Sequence, residues 1–448
     1  MFNLEEFLLM REKRVEIQNS IINKFKKPIL VLRANYPGED KNNFIPKAIV
    51  ETIKKEILEI FNTDILTTEH ISSIEGPTYI FSIDCLGLEL KRIAMSLEEN
   101  HTLGRCVDID IFDENGYAFS RTDLGGEKRK CLICNNMAFI CGRTGAHSHK
   151  ELQDIIQQKY EQNLKILEAQ ETLSNFLSNK ALKSIVLEVS ASPSFGLVSP
   201  LTQGAHKDMD FFTFLDSSFA MSPYLKDVSK AGYSPLPLDL IFKKIRYMGK
   251  ISEEEMFQAT KNVNTHKGMI FLMGISVAMS SKAKFENLKF ENISNLISEM
   301  CKDILKDFEN IKSKTTLTHG EKLFLNHGIV GVRGIVKKGL NIIFNEAIDI
   351  FESSILKEKN VNSAMIRTLI FLMSSLEDTT ILHRHDIDIL NSVKSEAMEL
   401  HSNFQNTSLD ISLLKEIEKR YSEKRISPGG AADLLAVTIF LQSIKSIF

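Results

Sequence analysis

The sequence predicts a multidomain protein, with an N-terminal α/β or α+β domain over residues 1–170 and an all-α helical domain over residues 171–448. The length of 448 residues exceeds what one domain usually holds. Short β-branched segments alternate with helical periodicity only in the first part of the chain, whereas almost every periodic segment after Lys180 is helical. The hydrophobic fraction of 43% is sufficient to build ordinary cores.

The first domain mixes strand and helix signals. Apolar, β-branched runs predict strands over 28–32, 79–84 and 106–112. Apolar spacing at three- and four-residue steps predicts a helix over 45–61 and a long amphipathic helix over 148–179. The long helix either closes the first domain or joins it to the second.

The second domain is predicted to be a helical bundle. Short turns rich in Gly, His, Asp, Thr and Asn separate its apolar segments, which is where a bundle carries a site at one end. The predicted helices cover residues 211–220, 269–279, 293–308, 347–356, 364–376, 387–404 and 431–447.

Charge and hydropathy favour a cytoplasmic protein with no nucleic-acid or membrane partner. The net charge of −3 lacks the strong positive balance of a general nucleic-acid binder. The N-terminus has no signal-peptide pattern, and no long uncharged run predicts a membrane span.

A cysteine cluster lies near the end of the first domain. Cys131 and Cys134 are spaced as zinc ligands often are, and Cys141 with either His147 or His149 would complete four ligands. The alternative is a set of reduced thiols, as expected in the cytosol. The spacing leaves both interpretations open.

Two aspartates form the sharpest motif of the first domain. Asp108 and Asp110 lie two residues apart on a predicted strand, so both point to one face. Such a pair can bind Mg²⁺ or simply form a solvated strand edge. Arg121, Arg129 and the glycines at 125–126 follow closely, and guanidinium and backbone N–H groups bind pyrophosphate. The combination favours phosphate chemistry.

Polar residues precede the first helix of the second domain. If that helix begins near Gly204, then His206, Asp210, Thr213 and Ser217 share one face. The structural alternative is an acidic helix start that favours the positive end of the helix dipole.

Two later segments predict helix starts. Thr318 and Glu321 fit a capping box. Ser427 is predicted to cap a helix with Pro428 at its first position, which leaves the backbone N–H groups of Gly429 and Gly430 available to a phosphate.

The first domain resembles the apo-citrate lyase phosphoribosyl-dephospho-CoA transferases. The resemblance covers residues 1–150 and is carried by the Gly-Arg…Asp-x-Asp strand, the Ser-Arg…Gly segment, the Cys-x-x-Cys run and the trailing Cys…Arg…His. It implies transfer of phosphoribosyl-dephospho-CoA to a serine of the citrate lyase acyl carrier protein, the γ subunit, with release of pyrophosphate. Asp108 and Asp110 would bind Mg²⁺, and the phosphates would meet Arg105, Arg121, Arg129 and Arg143.

The second domain resembles triphosphoribosyl-dephospho-CoA synthase over residues 175–448. The resemblance is carried by several segments in order along the chain: Glu…Ser-Pro…Gly-Leu-Val at 188–198, Gly-Ala-His-x-Asp-Met-Asp at 204–210, Asn-Thr-His-Lys-Gly at 264–268, Gly-x-Arg-Gly at 331–334 and Ser-Pro-Gly-Gly…Asp-Leu-Leu at 427–435. It implies that ATP and 3'-dephospho-CoA are joined with release of adenine, with Mg²⁺ on the triphosphate.

The same resemblance implies a set of site residues. The catalytic candidates are His206, Asp208, Asp210 and Asp378, with Asp208 and Asp210 also as Mg²⁺ ligands. The substrate-binding candidates are Lys207, His266, Lys267, Arg333, Arg384, Ser427, Gly429 and Gly430. Ser194, Ile335 and Thr380 depart from the family pattern, which usually has lysine, glutamate and asparagine there.

The sequence as a whole therefore predicts a bifunctional transferase that makes a prosthetic group and attaches it to citrate lyase. Two alternatives stay open. The acceptor could be the carrier protein of malonate decarboxylase, which carries a similar group, or the first domain could be only a zinc-dependent module that docks the carrier.

Overall fold

The computed structural model describes residues 4–134, 136–309, 311, 317 and 319–448. These form two compact units. Unit 1 comprises Met1–Ala169 and Ser234–Lys244, and unit 2 comprises Gln170–Tyr233 and Ile245–Phe448. The sequence contained no signal that residues 234–244 belong with the first unit. The boundary between catalytic domains at 170/171 stays a prediction.

Unit 1 contains an antiparallel sheet. Its strands are β1 (Ile29–Ala34), β2 (Ile65–Ser73), β3 (Gly76–Ile83), β4 (Val107–Phe112) and β5 (Ala118–Phe119), in the order β2-β3-β1-β4-β5. Every neighbouring pair is antiparallel, which corresponds to the α+β alternative. The three predicted strands are confirmed. β2 was missed because its sequence is polar and largely exposed, so it lacks an apolar run.

Three helices pack on this sheet: α1 (Leu4–Phe25), α2 (Phe44–Phe61) and α3 (Gly87–Asn100). Unit 1 also contains α4 (Ala138–Thr144) and the first part of α5 (His149–Val189). The Asn43 side chain caps α2 by accepting a hydrogen bond from the backbone N–H of Ile45. The apolar face of α2 buries Ile53 and Ile57 completely against the sheet.

In the described residues of unit 2, the regular elements are helices joined by loops, apart from an isolated bridge between Ser199 and Thr202. After the end of α5, its helices are α6 (Phe211–Ala220), α7 (Ser222–Gly232), α8 (Leu238–Ala259, from Ile245 onward), α9 (Lys267–Phe285), α10 (Asn292–Met300), α11 (His319–His327), α12 (Gly331–Lys337), α13 (Ile348–Glu358), α14 (Val361–Ser375), α15 (Thr379–Arg384), α16 (Ile387–Phe404), α17 (Ile411–Glu423) and α18 (Gly429–Ile444).

One predicted helix was too long. The segment 293–308 divides into α10, a turn and a short 3₁₀ segment at Ile304–Phe308. Apolar side chains four residues apart are buried in either geometry, so periodicity did not reveal the break. Thr318, the predicted cap of α11, lies outside the described residues.

Two largely buried apolar helices, α9 and α18, pack together in the core of unit 2. The stretch Gly429–Ile447 has a mean hydropathy of 1.3 and is long and apolar enough to cross a membrane by length and composition alone. However, 61% of it is buried inside the protein, as expected of a core helix.

Candidate active sites

The acidic pair of unit 1 lies on one face of β4. Asp108 and Asp110 alternate with the buried Ile109, as the strand pattern predicted. Each carboxylate meets an arginine: Arg129 Nη1 donates to Asp108 Oδ1, and Arg33 Nη2 donates to Asp110 Oδ2 at 3.0 Å. Arg33 was not predicted from sequence, because it lies on a different strand and belongs to no motif.

Glu98 on α3 joins two of the predicted arginines. Glu98 is buried, with only 5% of the residue exposed. It accepts hydrogen bonds from Arg121 Nη2 at 2.5 Å, from Arg129 Nη2 at 2.7 Å and from the backbone N–H of Ile109 at 3.1 Å. Glu98 therefore holds both guanidinium groups beside the acidic strand.

Positive charge is concentrated here. Burial lowers the pKa of Arg105, and the neighbouring Arg129 and Arg121 lower it further. The buried Nε atoms of Arg33, Arg105 and Arg129 have no hydrogen-bond partner among the described residues. A bound phosphate would supply acceptors to this group. Arg143 is placed elsewhere, with its guanidinium 5.8 Å from the ring centroid of Phe139.

In unit 2, the predicted helix over residues 211–220 is confirmed as α6, and the alternative start near Gly204 is wrong. Residues 204–209 form a loop, and α6 begins at Phe211. Gly204 has φ of +58°, and a Cβ there would lie 2.3 Å from the Gly196 carbonyl oxygen, so helical geometry is interrupted. Asp210 caps α6: its Oδ1 accepts from Thr213 N at 2.9 Å and from Thr213 Oγ1 at 2.8 Å, and these bonds lower its pKa.

His206 therefore sits in a loop, where it forms a different set of contacts. Its Nδ1 lies 3.2 Å from Arg384 Nη2, and its Nε2 lies 3.0 Å from Ser427 Oγ. Burial and the charge of Arg384 lower its pKa to about 4. Because Nδ1 must accept from arginine, the neutral ring carries its proton on Nε2 and donates it to Ser427. Asp208 Oδ1 lies 4.0 Å from His206 Nδ1. The side chains of Asp208 and Lys207 are both exposed.

Asp378 joins the starts of two helices. Its Oδ1 accepts from the backbone N–H groups of Thr380 at 2.8 Å and Ile381 at 3.4 Å, and its Oδ2 accepts from Ala431 N at 3.0 Å. Burial raises its pKa, and these hydrogen bonds oppose the rise. A Cβ on Gly430 would lie 3.1 Å from this carboxylate, so glycine allows the close approach.

This arrangement corrects the predicted start of α18. Pro428, rather than Ser427, occupies the cap position, and its side chain makes no cap hydrogen bond. Because Asp378 already accepts from Ala431 N, the helix does not need a serine cap. The Ser427 hydroxyl is left to accept from His206.

Two carboxyl groups received no role from the sequence, although both lie in segments that carry the resemblance to the synthase. Glu188, near the end of α5, is 7% exposed, and burial raises its pKa to about 8. Asp433, in the second turn of α18, is half-buried. Burial raises its pKa well above the usual value, and the charges of Glu188 and Asp378 raise it further. Asp433 Oδ2 lies 2.2 Å from where a Cβ on Gly268 would be. The available signal was an acidic residue inside the apolar sequence of α18.

His266, at the N-cap of α9, is also buried, with 2% exposure. Thr265 Oγ1 donates to Ser217 Oγ, so the Ser217 hydroxyl donates to His266 Nδ1 at 2.6 Å. Burial lowers the pKa of His266 to about 3, so the ring is neutral with its proton on Nε2. This Nε2 has no partner among the described residues, and it is available to a substrate acceptor.

Two predicted triphosphate ligands have other partners. Lys267 forms an ion pair with Glu253. Arg333 Nε lies 3.4 Å from Asp307 Oδ2, and its guanidinium lies 5.1 Å from the ring centroid of Phe308. These contacts do not join the group around Asp378 and His206.

A cavity of about 260 Å³ elsewhere in unit 2 has no predicted site residue in its wall. Its walls include Arg367 and His401. Arg367 is already bound to Glu358 and to the carbonyl oxygens of Phe404 and Thr407. This polar group is satisfied within the protein, so the cavity is not a second candidate for the chemistry.

Family models match both parts of the chain. Residues 174–448 match CitG, described as ATP:dephospho-CoA triphosphoribosyl transferase, and residues 2–163 match CitX, described as apo-citrate lyase phosphoribosyl-dephospho-CoA transferase. The fold and the two clusters of acidic and basic side chains therefore belong to a two-part transferase acting on dephospho-CoA derivatives.

Full-length relatives have the same order of parts. Protein CitXG of Leuconostoc mesenteroides is 33% identical over 98% of this chain and 96% of its own length, and Protein CitXG of Haemophilus influenzae is 28% identical over 99% and 96%. A probable 2-(5''-triphosphoribosyl)-3'-dephosphocoenzyme-A synthase of Streptococcus mutans is 33% identical over 60% of this chain and 97% of its own length. The chain belongs to the CitXG family, in which an N-terminal phosphoribosyl-dephospho-CoA transferase is fused to a C-terminal triphosphoribosyl-dephospho-CoA synthase.

Proposed function

We propose that the ribosyl transfer from ATP to 3'-dephospho-CoA takes place in unit 2 around Glu188 and Asp433. The observation that carries the proposal is the environment of this pair. Burial raises the pKa of both carboxyl groups, and the charge of Glu188 further raises that of Asp433. Carboxylates with a structural role usually accept hydrogen bonds from donor groups that stabilise their charge. Carboxyl groups whose pKa is strongly raised by burial are instead typical of acid–base sites.

Such a pair suits the loss of adenine from C1 of ribose. As the bond from C1 to the adenine nitrogen breaks, positive charge develops on the ribose, as in glycoside cleavage. Two interacting carboxyl groups hold one proton between them, and the protonated member gives it to the departing adenine. The ionised member accepts the proton of the attacking hydroxyl of dephospho-CoA, so protons balance. We assign the acid role to this pair, in which Glu188, whose pKa burial raises to about 8, shares the proton with Asp433.

The triphosphate is proposed to bind at the start of α18. Gly429 and Gly430 lie in its first turn, where backbone N–H groups and the helix dipole attract anions. Arg384, Ser427 and the Nε2–H of His266 add donors. Lys207 is exposed and available for the same charge, whereas Lys267 and Arg333 would first have to leave their present partners.

The donor set of unit 2 fits Mg²⁺ at Asp208 and Asp210 better than at Asp378. Asp378 uses both oxygens on backbone N–H groups, and its role is proposed to be structural. Asp208 is exposed, and Asp210 engages Oδ1 in its capping bonds. Mg²⁺ bound there would neutralise charge on the triphosphate.

In unit 1, we propose that Asp108 and Asp110 bind Mg²⁺ when the nucleotide product of unit 2 is present. Both are partly exposed carboxylates on one strand face, which fits an oxygen-liganded ion. Arg105, Arg121 and Arg129 would then bind the phosphates and the departing pyrophosphate, and Arg129 would leave Asp108 to do so. A serine hydroxyl of the carrier attacks phosphorus, so the enzyme contributes positioning and charge neutralisation.

The proposed acceptor is the acyl carrier protein of citrate lyase, its γ subunit, in the cytoplasm. The family description of residues 2–163 supports citrate lyase over malonate decarboxylase. The paired acids and arginines of unit 1 support a transferase over a module that only docks the carrier.

The test combines the enzyme with ATP, dephospho-CoA, Mg²⁺ and apo carrier. Intact-protein mass spectrometry should show the carrier heavier by one prosthetic group, and chromatography should show free adenine. Offering the apo carriers of citrate lyase and malonate decarboxylase together identifies the acceptor. An unmodified citrate lyase carrier in the presence of released adenine would refute the assignment of unit 1.

A further inference from the structure

The cysteine cluster of unit 1 lies on a hairpin followed by a helix. The hairpin is closed by Cys131 N donating to Asn136 O at 2.8 Å and Ala138 N donating to Arg129 O at 2.8 Å. Cys131 and Cys134 lie in its turn, and Cys141 lies on α4. His147 follows soon after the end of that helix. The hairpin and the helix that follows it thus bring three cysteines and one histidine together.

The geometry of these ligands matches a tetrahedral metal site. The Sγ atoms of Cys131, Cys134 and Cys141 and a ring nitrogen of His147 all lie within 4.8 Å of one another. Cys134 Sγ is 3.4 Å from Cys141 Sγ and 3.4 Å from His147 Nε2. The edges of a tetrahedral zinc site with three sulfurs and one nitrogen are about 3.8 Å and about 3.5 Å. The two contacts at 3.4 Å differ from these edges by a few tenths of an ångström, and a pair as far apart as 4.8 Å would close by about 1 Å around one ion.

The local backbone also favours the thiolate form of Cys131. The N–H of Ile133 points to Cys131 Sγ at 3.5 Å, an arrangement that stabilises a thiolate ligand. The shortest described sulfur–sulfur contact is far longer than the bond of about 2.05 Å in a disulfide, and all six cysteines are free. His149 begins α5 and does not belong to the group, which decides between the two histidines that the sequence left open.

We propose that Cys131, Cys134, Cys141 and His147 bind one Zn²⁺ in a closed structural site. Four protein ligands leave no position for a substrate, so the ion organises the fold and does not act on phosphate.

The consequence for function follows from what the hairpin carries. Arg129, at its base, donates to Asp108 and Glu98, and the adjacent Lys130 carbonyl accepts from Arg105. Zinc would therefore position the phosphate-binding arginines. This step rests on the proposed function of unit 1, whereas zinc binding itself does not.

The direct test is the metal content of the full-length chain, purified under reducing conditions with any affinity tag removed. Mass spectrometry of the metals should show about one zinc per chain. Replacement by Co²⁺ should produce the visible absorption of a tetrahedral thiolate site. Less than about one zinc in ten chains, after incubation with zinc under reduction, would overturn the proposal.

Matched variants identify the ligands. Cys134→Ser and His147→Ala should each lose zinc, whereas Cys85→Ser and His149→Ala should keep it. If His147→Ala keeps its zinc, the assigned ligand set is wrong. Should Cys134→Ser fail to fold, the zinc content and Co²⁺ spectrum of the unaltered chain still decide the question.

Activity separates zinc binding from its consequence. In His147→Ala, carrier modification should fall by at least tenfold, while adenine release by unit 2 should stay within twofold of the original. If zinc is lost and carrier modification is unchanged, the positioning role is refuted. If the unaltered chain binds zinc but never modifies a carrier, the proposed function of unit 1 fails while the zinc site stands.

Discussion

Replacing Glu188 by glutamine tests the centre of the proposed synthase site. Glutamine keeps the shape of the side chain but can neither carry a charge nor give up a proton as an acid. Glu188 is 7% exposed, and its pKa is raised from 4.5 to about 8 by burial. Glu188→Gln should therefore change stability and catalysis in different, pH-dependent ways.

The stability effect has a defined sign. Between about pH 4.5 and pH 8, the folded protein keeps a proton on Glu188 that the unfolded chain releases. Stability therefore falls as pH rises through this window. The shift corresponds to as much as about 5 kcal/mol, which is fully expressed above pH 8. Glu188→Gln removes this cost, so the variant should match the original protein at pH 5 and be more stable at pH 9.

The catalytic effect should be a loss. Removing a general acid typically lowers a rate by about 10²- to 10⁴-fold. Adenine release from ATP and dephospho-CoA measures unit 2 without the carrier. Because the chain has no tryptophan, urea unfolding should be followed by far-ultraviolet circular dichroism at each pH.

Glu171→Gln is the matched control on the same helix. Hydrogen bonds from Lys226 and Lys230 lower the pKa of Glu171 to about 2, the opposite direction. This variant should be less stable than the original at every pH above about 4.5, and its adenine release should be unchanged. If Glu188→Gln keeps adenine release within about threefold, Glu188 is not the acid. If its stability relative to the original does not change with pH, burial does not raise the pKa.

Three further predictions address neighbouring positions. Asp378→Asn should lower the stability of unit 2 by about 1–3 kcal/mol in urea unfolding, because one oxygen that accepts from backbone N–H becomes a donor; unchanged stability would contradict its capping role. Gly268→Ala should strongly reduce adenine release, because the new Cβ would meet Asp433 Oδ2 at 2.2 Å; an unchanged rate would exclude that carboxylate from the site. Asp108→Asn should abolish carrier modification in mass spectrometry while adenine release continues, and continued modification would favour a docking module instead.

The elements of the fold were predictable where a single local signal decided them. The alternation of Val107, Ile109 and Ile111 with two aspartates identified β4 and the shared face of the acids. β2 and the loop over residues 204–209 were not, because their geometry depends on other parts of the chain. β2 is defined by pairing along β3, and the loop before α6 is shaped by the close approach of Gly204 to the Gly196 carbonyl.

The candidate sites show the same division. Motifs found His206, His266 and Ser427, but they did not show which partners orient them. Glu188 and Glu98 were assigned no role because each is an acidic residue on a helix, the commonest surface pattern there is. Only burial distinguishes them, and burial is decided by tertiary packing.

The carboxylates of unit 2 can be sorted by the donors that meet them. Asp378 accepts backbone N–H groups from two helix starts with both oxygens, so its role is structural, whereas the capping box of Asp210 engages only Oδ1. Among the described residues, no hydrogen bond to Glu188 or Asp433 accompanies the burial that raises their pKa, so a shared proton is the remaining means of limiting uncompensated charge. A group that must hold a proton at neutral pH is also one that can deliver it. We therefore propose that Glu188 and Asp433, to which no role was assigned from the sequence, carry the acid–base chemistry, and that the aspartates of the turns build and charge the site around them.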